Sequence, residues 1–475
     1  MKPYVIGFGP WLPDGADLAF GMPFQYSQTP VPLADVQNVY YSRGAYRSMP
    51  TLAAGNAAAA QVLNANTSLD DTGAPKIYLG TATDLYAYAA GAYTNVSKSA
   101  GAYAGTAFWS FVDFGGCIIG ANGINLLQDM TVGGAAFADI AGSPIGRVVG
   151  SINQSLIVGD ITSPVAYPFR VQWGGIGDPA SWPTPLSDVA IAAQSGYEDL
   201  TEDFGRVMFI GGGPQMGVVL QRLGITRLQY VGGDVVFQFI PYERKSGLVA
   251  KGAAIQVNGV VHYISDDGFK MTDGSQVIGT GTSQSAALDK WFLNNVNMSA
   301  LDSIRAAYDA NLKLVMYAIP TGVNTLPDTL LLLNAPSGQW TKAAIPSECL
   351  WTDTDGTTHR AGAFDQLHHI AYFTGAPAAG YCETYDLSFV DGLIRDVPEA
   401  QPHIVCTDRP TMRIGSKRWA DDTVSYTADS ARNAFTGRCT WDPPPSALFQ
   451  RARVTSSNAS AINGATLYMT DGVPT

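Results

Sequence analysis

Short apolar runs alternate with turn residues along most of the chain. The stretch VHYISDDGFKMTDGSQVIG at 261–279 shows the unit: two strand-length runs punctuated by Asp-Gly, a pair favoured where a tight turn needs positive φ. The same pattern of strand, turn, strand and Gly before an aromatic stands in KIYLGTATDLYAYAAGAYTNVS (76–97), FGGCIIGANGINLLQDMTVGGAAFADIAG (114–142) and VVGSINQSLIVGDITSPVAYPFRVQWGGIGDPASWPTP (148–185). It returns in RVMFIGGGPQMGVVLQRLGITRLQYVGGDVVFQF (206–239), in the 261–279 stretch, in DANLKLVMYAIPTGVNTLPDTLLLLNAPSGQWTKAAI (309–345) and in QLHHIAYFTGAPAAGYCETYDLSF (366–389). Unit starts near 76, 114, 148, 206, 258, 309 and 366 are about 35 to 60 residues apart, close to the length of a four-stranded propeller blade.

The pattern therefore predicts a mainly β chain whose body is a β-propeller of six to eight blades, with six or seven favoured. A plain β-sandwich is the alternative, and the even spacing with terminal aromatics argues against it. Helical signals are few. NAAAAQVLNA (56–65) and TSQSAALDKWFLNNVNMSALDSIRAAY (282–308) are the candidates, the second broken by Asn and Ser into short turns between blades.

Texture divides the chain into three parts. Residues 1–70 read as an N-terminal arm and lead into the ring, their first fifty rich in Pro and Tyr: either an arm over the ring or toward a neighbour, or a closing strand with a long lead. Residues 71–395 form the propeller body. Residues 396–475, with TMRIGSKRWADD and SALFQRARVTSSNASAINGATLYMTDG on either side of a Pro triplet, read as a small additional β module of polar-alternating strands at the C-terminus.

Composition sharpens this picture. Only 14% of the 475 residues are charged while 46% are hydrophobic, against about a quarter charged in ordinary soluble domains, so much of the surface is neutral or covered by other chains. The 28 basic and 40 acidic residues balance at −12, which is no footprint for gripping phosphates. The acidity is uneven: residues 395–475 hold nine basic and eight acidic residues, leaving 19 against 32 in the remainder. Five cysteines without a C-x-x-C pair indicate neither a disulfide framework nor a zinc site. The opening MKPYVIGFGPWLPDG does not have a signal-peptide pattern, and no run of eighteen apolar residues occurs, so no membrane span is expected.

Candidate chemistry is sparse. Ser265-Asp266-Asp267-Gly268 and TDTDGTT (352–358) both fail the Asp-box of propeller sialidases, and turns explain them. A carboxylate pair for glycoside cleavage is open to any chain with many acids. His368 and His369 stand in a strand-like run that sends neighbours to opposite faces, so they do not chelate one metal. Neither a G-x-S-x-G nor a phosphate-binding loop is present. The expectation is a scaffold, with no catalytic residue, metal or cofactor.

Certain phrases, in order, resemble those of the tail nozzle proteins of short-tailed bacteriophages, also called tail hub or packaged-DNA stabilisation proteins. They are the opening with Trp11, Pro13 and Asp14, continuing to Tyr46; RVQWGGIGDPASWPTP with Trp173, Asp178 and Trp182; and GITRLQYVGGDVVFQF with Gly232 and Phe237. VVHYISDDGFKMTDGSQVIG follows, with Asp267, Gly268, Phe269, Asp273, Gly274 and Gly279, then LDKWFLNNVN with Trp291 and LLLNAPSGQWTKAAI with Trp340. The resemblance spans residues 10–390 and implies structural positions, not catalytic ones.

It implies a non-enzymatic virion protein of the viral tail, made in the host cytoplasm. As a homohexamer it would sit below the portal and adaptor, contact fibres and a needle or tip, retain packaged DNA and conduct it at ejection without reading its sequence. Six copies at −12 sum to −72, a charge that suits an acidic conduit along which DNA slides. The alternative is a propeller that binds or cleaves host surface polysaccharide, marked by acids and Arg at its central mouth; a further one is a cellular adaptor with one hydrophobic face.

Overall fold

The computed structural model describes the chain except residues 14–22, 25–29, 214, 234, 280–284, 355, 358, 390–392, 420–421 and 472–475. Seven four-stranded antiparallel sheets dominate it. They span 64–95, 110–139, 145–199, 207–244, 254–279, 305–343, and lastly 349–372 joined by the strand Ala53–Ala57. The first strand of each sheet packs on the first strand of the next, and Cys349–Thr354 packs back on Asn64–Leu69, which closes the ring. The body is a seven-bladed β-propeller, its blades numbered here in chain order.

Blade 6 shows why the sequence takes this form. Every residue of Leu314–Ile319 is buried, as are five of the six in Thr329–Asn334, because a middle strand is covered on both faces by neighbouring blades and so reads as an unbroken apolar run. Turns set the register. In blade 5 the pair Asn258-Gly259, both at positive φ, joins Val257 to Val260. Asp266-Asp267 makes the next turn, so Gly268 is not a turn residue but opens the following strand, paired with Ser265.

The seventh unit differs from its expected 366–389 span. It is completed by Ala53–Ala57, whose alanines pair with His369–Tyr372; the expected helix at 56–65 is therefore absent, the open sheet edge overriding the helix preference of alanine. The second helical expectation is met by the helix Ser285–Asn295 and the 3₁₀ turn Met298–Ser303, between blades 5 and 6.

Strand pairing divides the chain elsewhere than at 70 and 395. Lys2–Trp11 lies antiparallel to Ala459–Asp471 and runs parallel to Val31–Gln37 through Phe8 and Trp11. Val31–Gln37 then pairs with Gly380–Thr384, which pairs with Phe449–Ser456, which pairs with Thr411–Lys417. Both chain ends thus build one fifteen-stranded module, and residues 380–389 belong to it rather than to the propeller.

Module and propeller share a core. Trp11 is buried edge-on against Trp291, with ring centroids 5.6 Å apart, and the Lys342 ammonium of blade 6 lies 5.4 Å and 5.2 Å from the two rings while ion-pairing with Asp35 at 2.8 Å. Removing a large buried aromatic leaves a cavity that the frame closes poorly. Trp11→Ala is expected to lower stability by about 3–5 kcal/mol, read as a fall in the urea midpoint, because this side chain joins the two bodies.

Candidate functional site

The residues singled out from sequence fall into two groups. The first lies on blades 3 and 4. Trp173, at the end of its strand, meets Phe237 of the next blade edge-on at 5.3 Å and donates from Nε1 to the Gln194 carbonyl at 3.1 Å. The long connection that follows folds on itself: the Asp178 carboxylate accepts the Ala180 N–H at 2.9 Å and Trp182 Nε1 donates to the Pro179 carbonyl at 2.8 Å. Ser181 sits so close to Gly175 that a Cβ there would come within 2.6 Å of its hydroxyl.

The Ser187 hydroxyl then caps the short helix Asp188–Ala192 by accepting the Ala190 N–H. This construction faces apolar side chains outward: Leu186, Val189 and Ile191 are 79%, 66% and 56% exposed. The adjoining hairpin tip of blade 4 turns at Gly232 (φ 72°) and is tied to the connection by Tyr230 Oη, which donates to Gln194 Oε1 at 3.1 Å. It adds exposed Val231 and Val235. Neighbouring loops with five exposed branched apolar residues form a patch of the kind that marks an association surface.

The second group stiffens blade 5 and the joint with the module. Phe269 is fully buried among Phe292, Tyr317 and Trp340, its centroid 4.6 Å from that of Trp340. Its N–H donates to Asp289 Oδ1 at 2.9 Å, and a Cβ on Gly268 (φ 124°) would fall 2.1 Å from the Asp289 carboxyl carbon. Asp267 ion-pairs with Lys270, and Asp273 accepts the N–H groups of Ser275 and Gln276 beside Gly274. Gly279 ends the blade's last strand opposite Lys270, and Tyr46 Oη donates to the Gly9 carbonyl at 2.6 Å. Pro13 is buried, and Asp14 lies outside the described residues.

None of these described positions lines the central cavity. That cavity, 330 Å³ in volume, is walled by the inner strands of all seven blades; its only charged lining residues among those described are Lys251 and Arg305. The propeller lumen is therefore not acidic. Phe108 and Lys251 lead on to a second cavity of 220 Å³, lined also by Arg147, Arg206, Asn122 and Asp302. Sequence reasoning missed this cluster because its members come from different blades. One signal was available: units 3 to 6 each carry a cation at or just before the inner strand, at Arg147, Arg206, Lys251 and Arg305.

The two histidines differ from expectation. His368 takes a positive φ in a turn and meets Glu348 through Nδ1, while His369 Nδ1 meets Asp365, so both are half-buried hydrogen-bond partners of carboxylates rather than one inside and one outside.

No protein-family model matches the chain, and no curated protein matches it. Among solved structures it is similar to the computationally designed Ika8 protein, with 8% identity and a TM-score of 0.39, over 68% of this chain and 98% of that one. It is also similar to the extracellular domain of the one-component system BT4673 from B. thetaiotaomicron, with 9% identity and a TM-score of 0.44, over 74% of this chain. The match spans 43% of that second protein.

Burial raises the Asp289 carboxyl to about 6, with the Phe269 N–H and Lys270 pulling the other way. Since the folded value lies above the unfolded one, the contribution of protonated Asp289 is complete below about pH 4 and is lost as the pH rises through 6. Asp289→Asn keeps an acceptor for Phe269 without the charge. It is expected to stabilise the protein at pH 7.5 by about 1–2 kcal/mol and to make no difference below about pH 4, measured by denaturant titration at both values.

Proposed function

We propose that this chain is a structural subunit of a phage tail, a nozzle or hub that assembles as a closed ring of about six copies around the DNA path. The observation that carries the reading is the apolar patch on blades 3 and 4, formed by Leu186, Val189 and Ile191, which directly follow the RVQWGGIGDPASWPTP phrase, and by Val231 and Val235 of the GITRLQYVGGDVVFQF phrase. Its occupant is a second copy of the chain. A chain in which only 14% of residues are charged suits permanent self-contact, since subunit interfaces lose charge at their cores.

The DNA path runs between subunits in this reading. The propeller's own 330 Å³ cavity is filled around by inner-strand side chains and has no room for a duplex. Function is then assembly and passage: rigid subunits surround the genome, and the net −12 on each keeps phosphate from adhering at short range.

A second reading, a propeller that binds or cleaves host glycans, is supported by the channel mouth, where Asp302 stands with Arg147, Arg206 and Lys251. The readings part in solution. Light scattering with negative-stain imaging is expected to give a ring of about six copies. The double variant Leu186→Lys, Ile191→Lys is expected to give monomers with an unchanged melting temperature, because both side chains are exposed in the subunit. A wild-type monomer that binds or turns over host polysaccharide would overturn the nozzle reading in favour of the second.

A further inference from the structure

The 220 Å³ cavity at the channel mouth gathers positive charge in a chain that is acidic overall. Arg147, Arg206 and Lys251 converge on it from blades 3, 4 and 5, with Ala107, Phe108 and Asn122 on the blade 2 side and Asp302 before blade 6 forming the rest of the wall. Beneath them Asp160 is completely buried at a positive-φ break in its strand, one carboxylate oxygen 3.3 Å from the Arg147 guanidinium and the other 3.6 Å from the Lys251 ammonium. Asp160 thus fixes two cations from behind and leaves their other donors directed to the cavity. Arg206 is exposed, and no carboxylate among the described residues lies within ion-pairing distance of it.

A fourth cation stands close by. Arg305 is buried, its guanidinium bonded to the carbonyls of Leu63, Asp302 and Ile304 and lying 5.1 Å from the Phe108 ring. Four cations against Asp160 and Asp302 leave a surplus of two positive charges. Burial of the Lys251 ammonium draws it below its ordinary range; Asp160 opposes this, and Arg206 and Arg147 add to it. Cations gathered around a largely buried ammonium are held at a cost that a bound anion lowers.

We propose that the mouth of the propeller channel is a binding site for a phosphate dianion, held by Arg147, Arg206 and Lys251 with Asn122 at its edge. Two guanidinium forks and an ammonium suit a tetrahedral oxyanion with several acceptor atoms, and a double negative charge matches the surplus where a single carboxylate does not. The ligand is either the free ion or a phosphomonoester whose body projects from the mouth past Asp302. This site is independent of ring assembly.

The test is calorimetric titration of the full chain at pH 7.5 and constant ionic strength with inorganic phosphate, with a sugar phosphomonoester, and with two carboxylates, acetate and an acidic monosaccharide. Phosphate is expected to bind saturably with a Kd below about 1 mM and to raise the melting temperature. Arg206→Gln, at an exposed and unbridged position, is expected to weaken it by about tenfold while the phosphate-free melting temperature stays as in the wild type. Arg147→Gln is the second variant, with loss of binding expected.

A monoester binding at least as tightly as free phosphate assigns an esterified ligand, and one binding much more weakly assigns the free ion; both keep the site. The proposal is overturned if phosphate gives no saturable heat up to about 10 mM, if Arg206→Gln binds as the wild type does, or if either carboxylate equals phosphate.

Discussion

Everything in this molecule depends on the closure of the last blade onto the first. A ring of blades is stable only if no sheet edge stays open at the seam, and here Ala53–Ala57 fills the outer position of the blade whose other strands are 349–372. The seam is held by polar contacts between residues almost three hundred positions apart. Glu348, buried at 2% exposure, accepts the Val62 N–H at 2.8 Å and meets His368 Nδ1 at 2.7 Å, while the His368 carbonyl accepts the Ala58 N–H. Across the inner strands, Thr67 Oγ1 donates to Asp353 at 2.6 Å and accepts from Trp351 Nε1, and Arg305 donates to the Leu63 carbonyl. One carboxylate and one guanidinium therefore fix the path of the chain as it enters the ring.

The closing strand comes from near the N-terminus, so the chain must pass through something before it enters the propeller and after it leaves. Both ends solve the same problem by pairing with each other. The resulting module carries a ladder of buried charge: Arg453 on Glu383, Arg451 on Asp386, and Lys417 on Asp386 at 2.9 Å, with Tyr381 and Tyr426 against Arg453. Such pairs add little net stability, but a one-residue slip would leave each charge without its partner. Part of the basicity of residues 395–475 is thereby taken up within the fold, since Arg438, Arg451 and Arg453 answer Glu399, Asp386 and Glu383 in turn, and Lys417 also answers Asp386.

What was legible in the sequence was local. Hairpins announce themselves through short apolar runs separated by turn residues, and seven such units with terminal aromatics led to a propeller. The seam was not legible, because Ala53–Ala57 (AAGNA) carries no β-branched or aromatic residue, runs into the alanine-rich 56–65 stretch, and takes its strand character from the edge of a blade about 300 residues away. Gly268 looked like a turn glycine, whereas the constraint on it is the Asp289 carboxylate from the helix that follows. The cations at the mouth were invisible for the opposite reason. Each is unremarkable in its own unit, and only the common direction of the inner strands brings Arg147, Arg206 and Lys251 to one end of the axis.

That common direction has a consequence for charge. With no carboxylate among the described residues lining the central cavity, the acidic surplus of the chain is carried away from the propeller axis, and the axis itself is cationic. A nozzle built from such subunits would repel DNA from its shared, acidic surfaces while each propeller kept a small anion of its own. The two electrostatic regions are separated by low-dielectric blades, so neither cancels the other at short range. On the readings proposed above, segregation of this kind would let a subunit be anionic toward a passing polymer and still hold a phosphate. The polymer's phosphates are spread along a stiff duplex that cannot enter a 220 Å³ cavity, whereas a small dianion can.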